Sequence, residues 1–293
     1  MDLRPLNDLP LLGKAAALAS AAELELYAVG GCARDWFLGR ESADIDFLLS
    51  GDASPVVEGL EKEYGGRSVK FSPFLTVRFF SAEGRRLDFA RFRREIYSSP
   101  AALPAVAPAA SAAEDLKRRD FSTNAMALRL NGPEAYSLLD PFDGLADIKA
   151  GLVRVLHAKS FEDDPTRIFR AARFAGRFGW RLEAGTLEQA AAAVRGGLPG
   201  RLSRERLRNE LVKLLEEKDP LPALELLRGL GALSFIHPDL VFNGELLKCS
   251  GSRARLAATA RLMGAKGGEF LAGLRLSRSE TAELRSLAGL PKT

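Results

Sequence analysis

The chain has 293 residues, 46% of them hydrophobic and 27% charged, which supports one large core or two modest ones and excludes wholesale disorder. Lys and Arg number 42 against 38 Asp and Glu, for a formal charge of +4. So small an excess says little about nucleic acid, and the clustering of basic residues matters more than their sum.

In chain order, KAAALASAA (14–22) predicts a short helix, and ELYAVGG a strand running into a glycine turn. ARDWFLG then reads as helical, and DIDFLL as a short apolar strand with two acids at alternate positions. SPVVEGLEKEY predicts another helix, and SVKFS, LTVRFF and RLDFARF predict strands by their β-branched and aromatic content. This alternation continues to about residue 140. PAALPAVAPAASAA (100–113) is biased toward Ala and Pro and reads as a mobile surface loop. From about residue 160 strand signals disappear. Helical patterns take over in PTRIFRAARFAGRF, TLEQAAAAV, SRERLRNELVKLLEE, PALELLRGL and SRARLAATARLM, with Gly and Pro between them at 198–200, 219–220 and 237–238. The expectation is an α+β chain, with an α/β head followed by an all-helical remainder.

Cys32 and Cys249, with only His157 and His237 besides, match no zinc spacing and predict reduced thiols in a cytoplasmic protein. MDLRPLNDLP lacks the basic and apolar regions of a signal peptide. No apolar run approaches the roughly 20 residues of a membrane span, so no membrane contact is expected.

Asp44 and Asp46 stand at i and i+2 on a predicted strand, so their side chains leave the same face. Two adjacent carboxylates repel unless a cation lies between them, and hard oxygen donors favour Mg²⁺. Taken alone, such a pair also fits solvated acids at a strand end. Upstream, Gly30 and Gly31 would let backbone amides approach phosphate oxygens, with Arg34 adding charge at the following helix start. The same glycines also fit a tight strand-to-helix turn, which is what would expose those amides.

GGCARDWFLGRESADID resembles the signature of class II tRNA nucleotidyltransferases and bacterial poly(A) polymerases, a branch of the polymerase β superfamily. RRDFSTNAMAL (118–128), LLDPFDGLADIKAGLVR (138–154), SFEDDPTRIFRAARFAGRFGW (160–180) and LSRERLRNELVKLL (202–215) resemble further blocks of that family in the same order. The resemblance covers about residues 27–215. It implies a polymerase β-like nucleotidyltransferase head over 1–145, a helical neck for nucleobase recognition over 146–220, and a short helical body over 221–293 contacting tRNA. That tail is shorter than the family's usual one, so part of the tRNA-gripping body is expected to be reduced or supplied by a second copy. Oligomeric state stays open.

The implied reaction adds C and/or A from CTP or ATP to a tRNA 3′ end by two-metal phosphoryl transfer, Asp44 and Asp46 holding Mg²⁺. Arg119 would contact the incoming nucleotide while Asp120 and Asn124 order the site; a surface salt-bridge pair is the plainer reading of Arg118 and Arg119. Asp88 reads either as a third acid near the metals or as a structural carboxylate. Asp164 and Arg167 are expected on one helix with Arg170 and Arg173, three residues apart, as a polar ridge. The resemblance implies that Asp164 and Arg167 read the nucleobase and that Arg170 and Arg173 serve sugar, phosphate or helix positioning. Arg201, Arg204, Arg206 and Arg208, with Lys213 and Lys218, form the densest basic stretch and suit either a tRNA backbone or an ion-paired helix face.

Enzymes adding only CC, only A, or a poly(A) tail remain as alternatives. A poly(A) polymerase is disfavoured because FLLSGDASP follows the acidic pair where that subgroup carries Gly-Arg-Arg. A non-catalytic RNA-binding module is the alternative from a different class. A histidine-aspartate hydrolase is unsupported, since His237-Pro238-Asp239 lacks the adjacent pair.

Overall fold

The computed structural model describes residues 5, 9–42 and 44–291. Most of the N-terminal segment read above for a signal peptide lies outside the described residues. The chain divides into two compact units, one of Met1–Ser98, Leu103–Ala150 and Arg154–Leu156, the other of Ser99–Ala102, Gly151–Val153 and His157–Thr293.

In the first unit, α1 (Leu9–Ala21) precedes β1 (Leu26–Val29), α2 (Gly31–Phe37), β2 (Ile45–Leu49) and α3 (Ser54–Tyr64). The strands β3 (Arg67–Phe71), β4 (Thr76–Phe80) and β5 (Arg86–Arg91) follow, then β6 (Arg93–Ile96), β7 (Ala105–Pro108) and α4 (Ala112–Leu116). β8 (Ala127–Arg129), β9 (Leu138–Leu139) and α5 (Gly144–Ala150) complete it. The main sheet runs β3-β4-β5-β2-β1-β8-β9. Only β2 and β5 pair parallel; the other neighbours are antiparallel.

Period-two alternation divides this sheet. Leu26 and Ala28, Ile45, Phe47 and Leu49, Val77 and Phe79, and Leu87 and Phe89 point to one face, where they pack with Leu12 and Ala15 of α1 and Val56, Val57 and Leu60 of α3. Phe47 and Phe89, register partners on β2 and β5, stack with centroids 4.5 Å apart. The alternate residues face the other side, where Tyr27, Val29 and Leu48 join Phe92, Leu116 and Ala127 in a smaller cluster.

The Ala/Pro tract departs from its sequence reading as a loop. Its centre is the strand β7, paired antiparallel with β6 in a two-stranded sheet, and its end already belongs to α4, whose N-cap Ser111 accepts from the Glu114 amide. Alanine is a poor strand former, so the pattern carried no strand signal; the open edge of β6 supplies the pairing.

In the second unit, β10 (Leu152–Val153) pairs parallel with β11 (Arg181–Leu182), a short strand past the point where strand signals were read as ending. Around it stand α6 (Ser160–Asp163), α7 (Thr166–Phe178) and α8 (Ala184–Arg195), followed by α9 (Arg204–Leu215), α10 (Leu221–Leu230), α11 (Gly251–Leu262), α12 (Gly267–Gly273) and α13 (Arg278–Leu287). α7 packs on α9 and α10, and α11 on α9, α12 and α13. Caps match their sequences: Ser203 accepts from the Arg206 amide at the start of α9, and Ser277 and Glu280 form a capping box on α13.

One buried cation organises this unit. Arg255, 7% exposed, donates to the carbonyls of Leu215, Glu217 and Lys218 past the end of α9 and to those of Leu246 and Cys249. These include helix-end acceptors that no following turn satisfies. Arg255→Met is expected to lower the free energy of urea unfolding by about 2–4 kcal/mol, because several buried acceptors lose their donor together. The exposed neighbour Arg253→Met should change it by less than about 0.5 kcal/mol. Equal effects of the two would remove the hub role.

Candidate active site

Val29 on β1, Asp46 on β2, Asp88 on β5 and Arg78 on β4 are register partners in one row across the sheet. The row lies on the face turned away from α1 and α3. Asp44, expected on the same strand as Asp46, stands instead in the bend just before β2, beside Arg86. A cleft of about 360 Å³ opens there, lined by Asp46, Asp88, Arg78, Arg93, Arg118 and Arg119 among others.

Asp88 is forked by Arg78, with Nε 2.6 Å from Oδ1 and Nη2 2.9 Å from Oδ2. Arg86 reaches towards both Asp44 (3.5 Å) and Asp88 (3.7 Å). The side chain of Asp44 is 60% exposed, so its link to Arg86 is solvent-screened and weak. Asp46 meets solvent at the cleft mouth, yet the walls crowd it. Desolvation raises its pKa, Arg119 opposes that, and the like charges of Asp88 and Asp44 add to it.

Among the described residues, no three His, Cys, Asp or Glu side chains are gathered closely enough to hold a metal. The donors at Asp44 and Asp46 nonetheless fit a hard cation that keeps several waters, as Mg²⁺ does. Both are carboxylates, near enough for Asp44 to raise the pKa of Asp46, and that mutual repulsion is what a cation relieves. Asp88, with both oxygens on Arg78, stands beside that pair as a charge.

The glycine turn lies at the same end of the sheet. Gly30 has φ +72°, a conformation that favours glycine, and a Cβ added there would sit 2.7 Å from Nη1 of Arg119. Arg119 is thus set directly against the turn. Burial lowers its pKa, its Nε has no partner among the described residues, and Nη2 stands 3.5 Å from Asp115. Asp115, 0% exposed, also receives Nε and Nη2 of Arg118 and the backbone amide of Arg93. This carboxylate holds the cleft's cations in place, and the sequence reading passed over it. Its position three and four residues before Arg118 and Arg119 on a helical pattern was the available signal.

Arg34 and Asn124 sit behind the turn. Arg34, 3% exposed, donates to Oδ1 of Asn124 at 2.6 Å and to Asp35, while Nδ2 of Asn124 donates to Asp120. A Cβ on Gly31 would lie 3.5 Å from Nη2 of Arg34, so that guanidinium backs the second glycine. Below, Gly144 lets α5 approach the Ser122 carbonyl, which a Cβ would meet at 2.3 Å, and Asp147 accepts from Ser122 and Arg154. The block LLDPFDGLADIKAGLVR thereby braces the RRDFSTNA block.

In the second unit, Asp164, Arg167, Arg170 and Arg173 depart from the expected single helix. Asp164 lies between α6 and α7 with φ −139° and ψ 95°, because Pro165 disfavours a helical residue before it. Its Oδ1 accepts from the amide and hydroxyl of Thr166, starting α7, and from Nη2 of Arg206 at 2.6 Å. Arg167, 5% exposed, donates to Ser160 Oγ at 2.7 Å. Arg170 and Arg173 do follow on α7, both lying over the ring of Phe174, and Arg173 contacts Glu217 at 3.4 Å. Asp164 and Arg167 therefore stand together at one helix start, with Arg206, from the stretch read as either a tRNA backbone contact or an ion-paired face, as a partner.

The dense basic stretch is largely committed to the protein itself. Arg204 donates to the carbonyls of Phe235 and Ile236, Arg206 to Ala101 and Asp164, Arg208 to Leu274 and Arg275, and Lys213 to Glu210.

The crowding of Asp46 has a measurable sign. A carboxyl-carbon NMR titration of metal-free protein should place its midpoint above the ordinary aspartate value of about 3.9. Asp88→Asn, removing a like charge, should lower that midpoint, and Arg119→Met, removing a cation, should raise it. A midpoint at or below the ordinary value would refute the crowding.

Residues 26–154 match the family described as the poly A polymerase head domain, and residues 200–242 that described as the probable RNA and SrmB-binding site of polymerase A. The A-adding tRNA nucleotidyltransferase of Geobacter sulfurreducens is 41% identical over 226 residues, covering 77% of this chain and 26% of that protein. The A-adding tRNA nucleotidyltransferase of Halalkalibacterium halodurans is 39% identical over 228 residues, covering 76% of this chain and 53% of that protein. The chain thus spans a quarter to a half of these curated relatives. A solved CCA-adding enzyme, apo form II, is 32% identical with a TM-score of 0.76, covering 98% of this chain and 69% of that one. With the α+β architecture and the ordered sequence blocks in agreement, the chain belongs to the family of tRNA nucleotidyltransferases and bacterial poly(A) polymerases.

Proposed function

We propose that this chain is a tRNA 3′-terminal nucleotidyltransferase whose added nucleotide is A. The 3′ hydroxyl of a tRNA, losing its proton, forms a bond to the α-phosphorus of ATP as the bond to the β-phosphate oxygen breaks and pyrophosphate leaves. The observation that carries this reading is one juxtaposition: the row of Asp46 and Asp88 faces a cleft in which Arg119 is pressed against the Gly30 turn. Acidic and cationic groups then serve opposite ends of one phosphoryl transfer.

Asp44 and Asp46 would hold Mg²⁺, which when bound neutralises developing charge and acidifies the attacking hydroxyl. Arg119 binds the triphosphate, aided by the Gly31 amide at the start of α2, since the Gly30 amide is bonded to the Met126 carbonyl; Arg34 and Asn124 keep that turn in place. Asp88 adds negative charge beside the pair. Asp164 and Arg167 offer acceptor and donors suited to a base edge, with Arg170 and Arg173 positioning α7 and the sugar-phosphate. The preference for A draws on the names of the two relatives above. Free thiols at Cys32 and Cys249 suit the reducing cytoplasm.

Incubation with tRNA ending at the discriminator base, at C, or at CC, each with ATP or CTP alone, tests the reading. The expected product is a single-nucleotide extension of the CC-ending tRNA with ATP. Extension of the shorter ends with CTP would transfer the assignment to CC or CCA addition, long A tails to poly(A) synthesis, and no extension at all would sink the transferase. Asp46→Ala should lower incorporation about a thousandfold while leaving the far-UV circular dichroism unchanged. Removal of divalent metal by a chelator should have the same effect on the wild type.

A further inference from the structure

Of the guanidinium groups lining the cleft, Arg93 stands apart. Arg78 is forked on Asp88, Arg118 is held by Asp115 and Glu95, and Arg119 reaches Asp115. Arg93 opens β6 with its backbone amide fixed 3.0 Å from Asp115, which aims its side chain into the cleft. There Nη1 donates only to uncharged oxygens, the carbonyl of Phe74 and Thr76 Oγ1. Its Nε is sealed from solvent, and among the described residues it has no hydrogen-bond partner and the side chain forms no ion pair. Burial and the neighbouring Arg118 disfavour its charge, and Glu95 and Asp115, both paired with Arg118, offset that only in part.

A guanidinium confined among other cations, with an unmatched N–H and no carboxylate paired to it directly, is only partly compensated. A phosphate supplies negative charge and several acceptor oxygens to the cationic side, and suits the donor array of an arginine. The same guanidinium fixes the carbonyl of Phe74, an aromatic ring 53% exposed that also lines the cleft. That ring gives a nucleobase a face to stack on beside the phosphate.

We infer that Arg93 is a phosphate ligand of this cleft, additional to Arg119, and that the turn carrying Phe74 belongs to the same nucleotide subsite. The inference rests on the proposed function for its choice of ligand, the phosphate coming from the nucleoside triphosphate or from the RNA end.

The test is binding rather than turnover. Wild type, Arg93→Gln and Arg93→Lys are titrated with inorganic tripolyphosphate, with ATP and with tRNA, after circular dichroism and urea midpoints establish equal folding. Glutamine keeps an N–H for the Phe74 carbonyl but removes the charge, so a purely structural role leaves its binding intact. We expect Arg93→Gln to weaken tripolyphosphate and ATP about tenfold, the size of one charge-assisted contact, and Arg93→Lys to recover most of the loss. Loss confined to tRNA, with a shallower salt dependence, supports the site with RNA as the phosphate source. Wild-type affinity of Arg93→Gln for all three ligands overturns the inference, as does a wild type that binds none of them. A wild type that loses tripolyphosphate binding on Arg93→Gln but extends no tRNA overturns the proposed function alone. If Arg93→Gln unfolds, phenylglyoxal labelling of wild-type Arg93 decides: protection by tripolyphosphate or tRNA supports the inference, and unchanged labelling overturns it.

Discussion

Parallel pairing of β2 with β5 sets Asp46 beside Asp88, while antiparallel pairing of β2 with β1 brings the Gly30 turn to the same end of the sheet. Because side chains alternate, one register choice decides both what is buried and what is offered. Phe47 and Phe89 go into the core, and Asp46 and Asp88 go to the cleft. A slip of one residue would bury the acids under α1 and α3 and expose the phenylalanines. Hydrophobic packing on the far face therefore enforces the polar geometry on the near one.

The cleft also depends on a charge that never meets solvent. Asp115 makes no contribution to the surface, yet Arg93, Arg118 and Arg119 all take their placement from it. A buried carboxylate is costly unless paired, and here the pairing leaves an excess of positive charge on the cleft side. Cys32, next to the glycine turn, has no part in this arrangement. Burial pushes its thiol up to about 12, and Sγ lies 3.1 Å from the Val29 carbonyl.

Much of this was legible in sequence because it obeys short-range rules. The opposite faces of Asp46 and Phe47 and the aromatic strands at 76–80 and 86–91 follow from period-two alternation, and SPVVEGLEKEY became the helix α3 at its expected limits. What escaped was set by distant partners. β7 forms from alanine and proline only because β6 lies alongside. Arg78 gains its importance from cross-strand register and Arg93 from the distant Asp115 that fixes its amide, neither of which a local pattern reveals. The break at Pro165 was visible as a residue type, yet the strong helical pattern around it hid the consequence for Asp164. The basic stretch 201–218 read as a surface, whereas several of its arginines close off backbone carbonyls within their own unit.

That break gives Asp164 two occupations at once. The same Oδ1 that would meet a ligand also anchors the first turn of α7, through the Thr166 amide and hydroxyl, and accepts from Arg206. Any partner that draws this oxygen away must compete with a helix-starting bond worth about 1 kcal/mol, so occupancy and helix fraying are thermodynamically linked. A residue carried on the helix itself would have no such linkage. At this position, the affinity for a ligand includes the local stability of the chain that presents the contact.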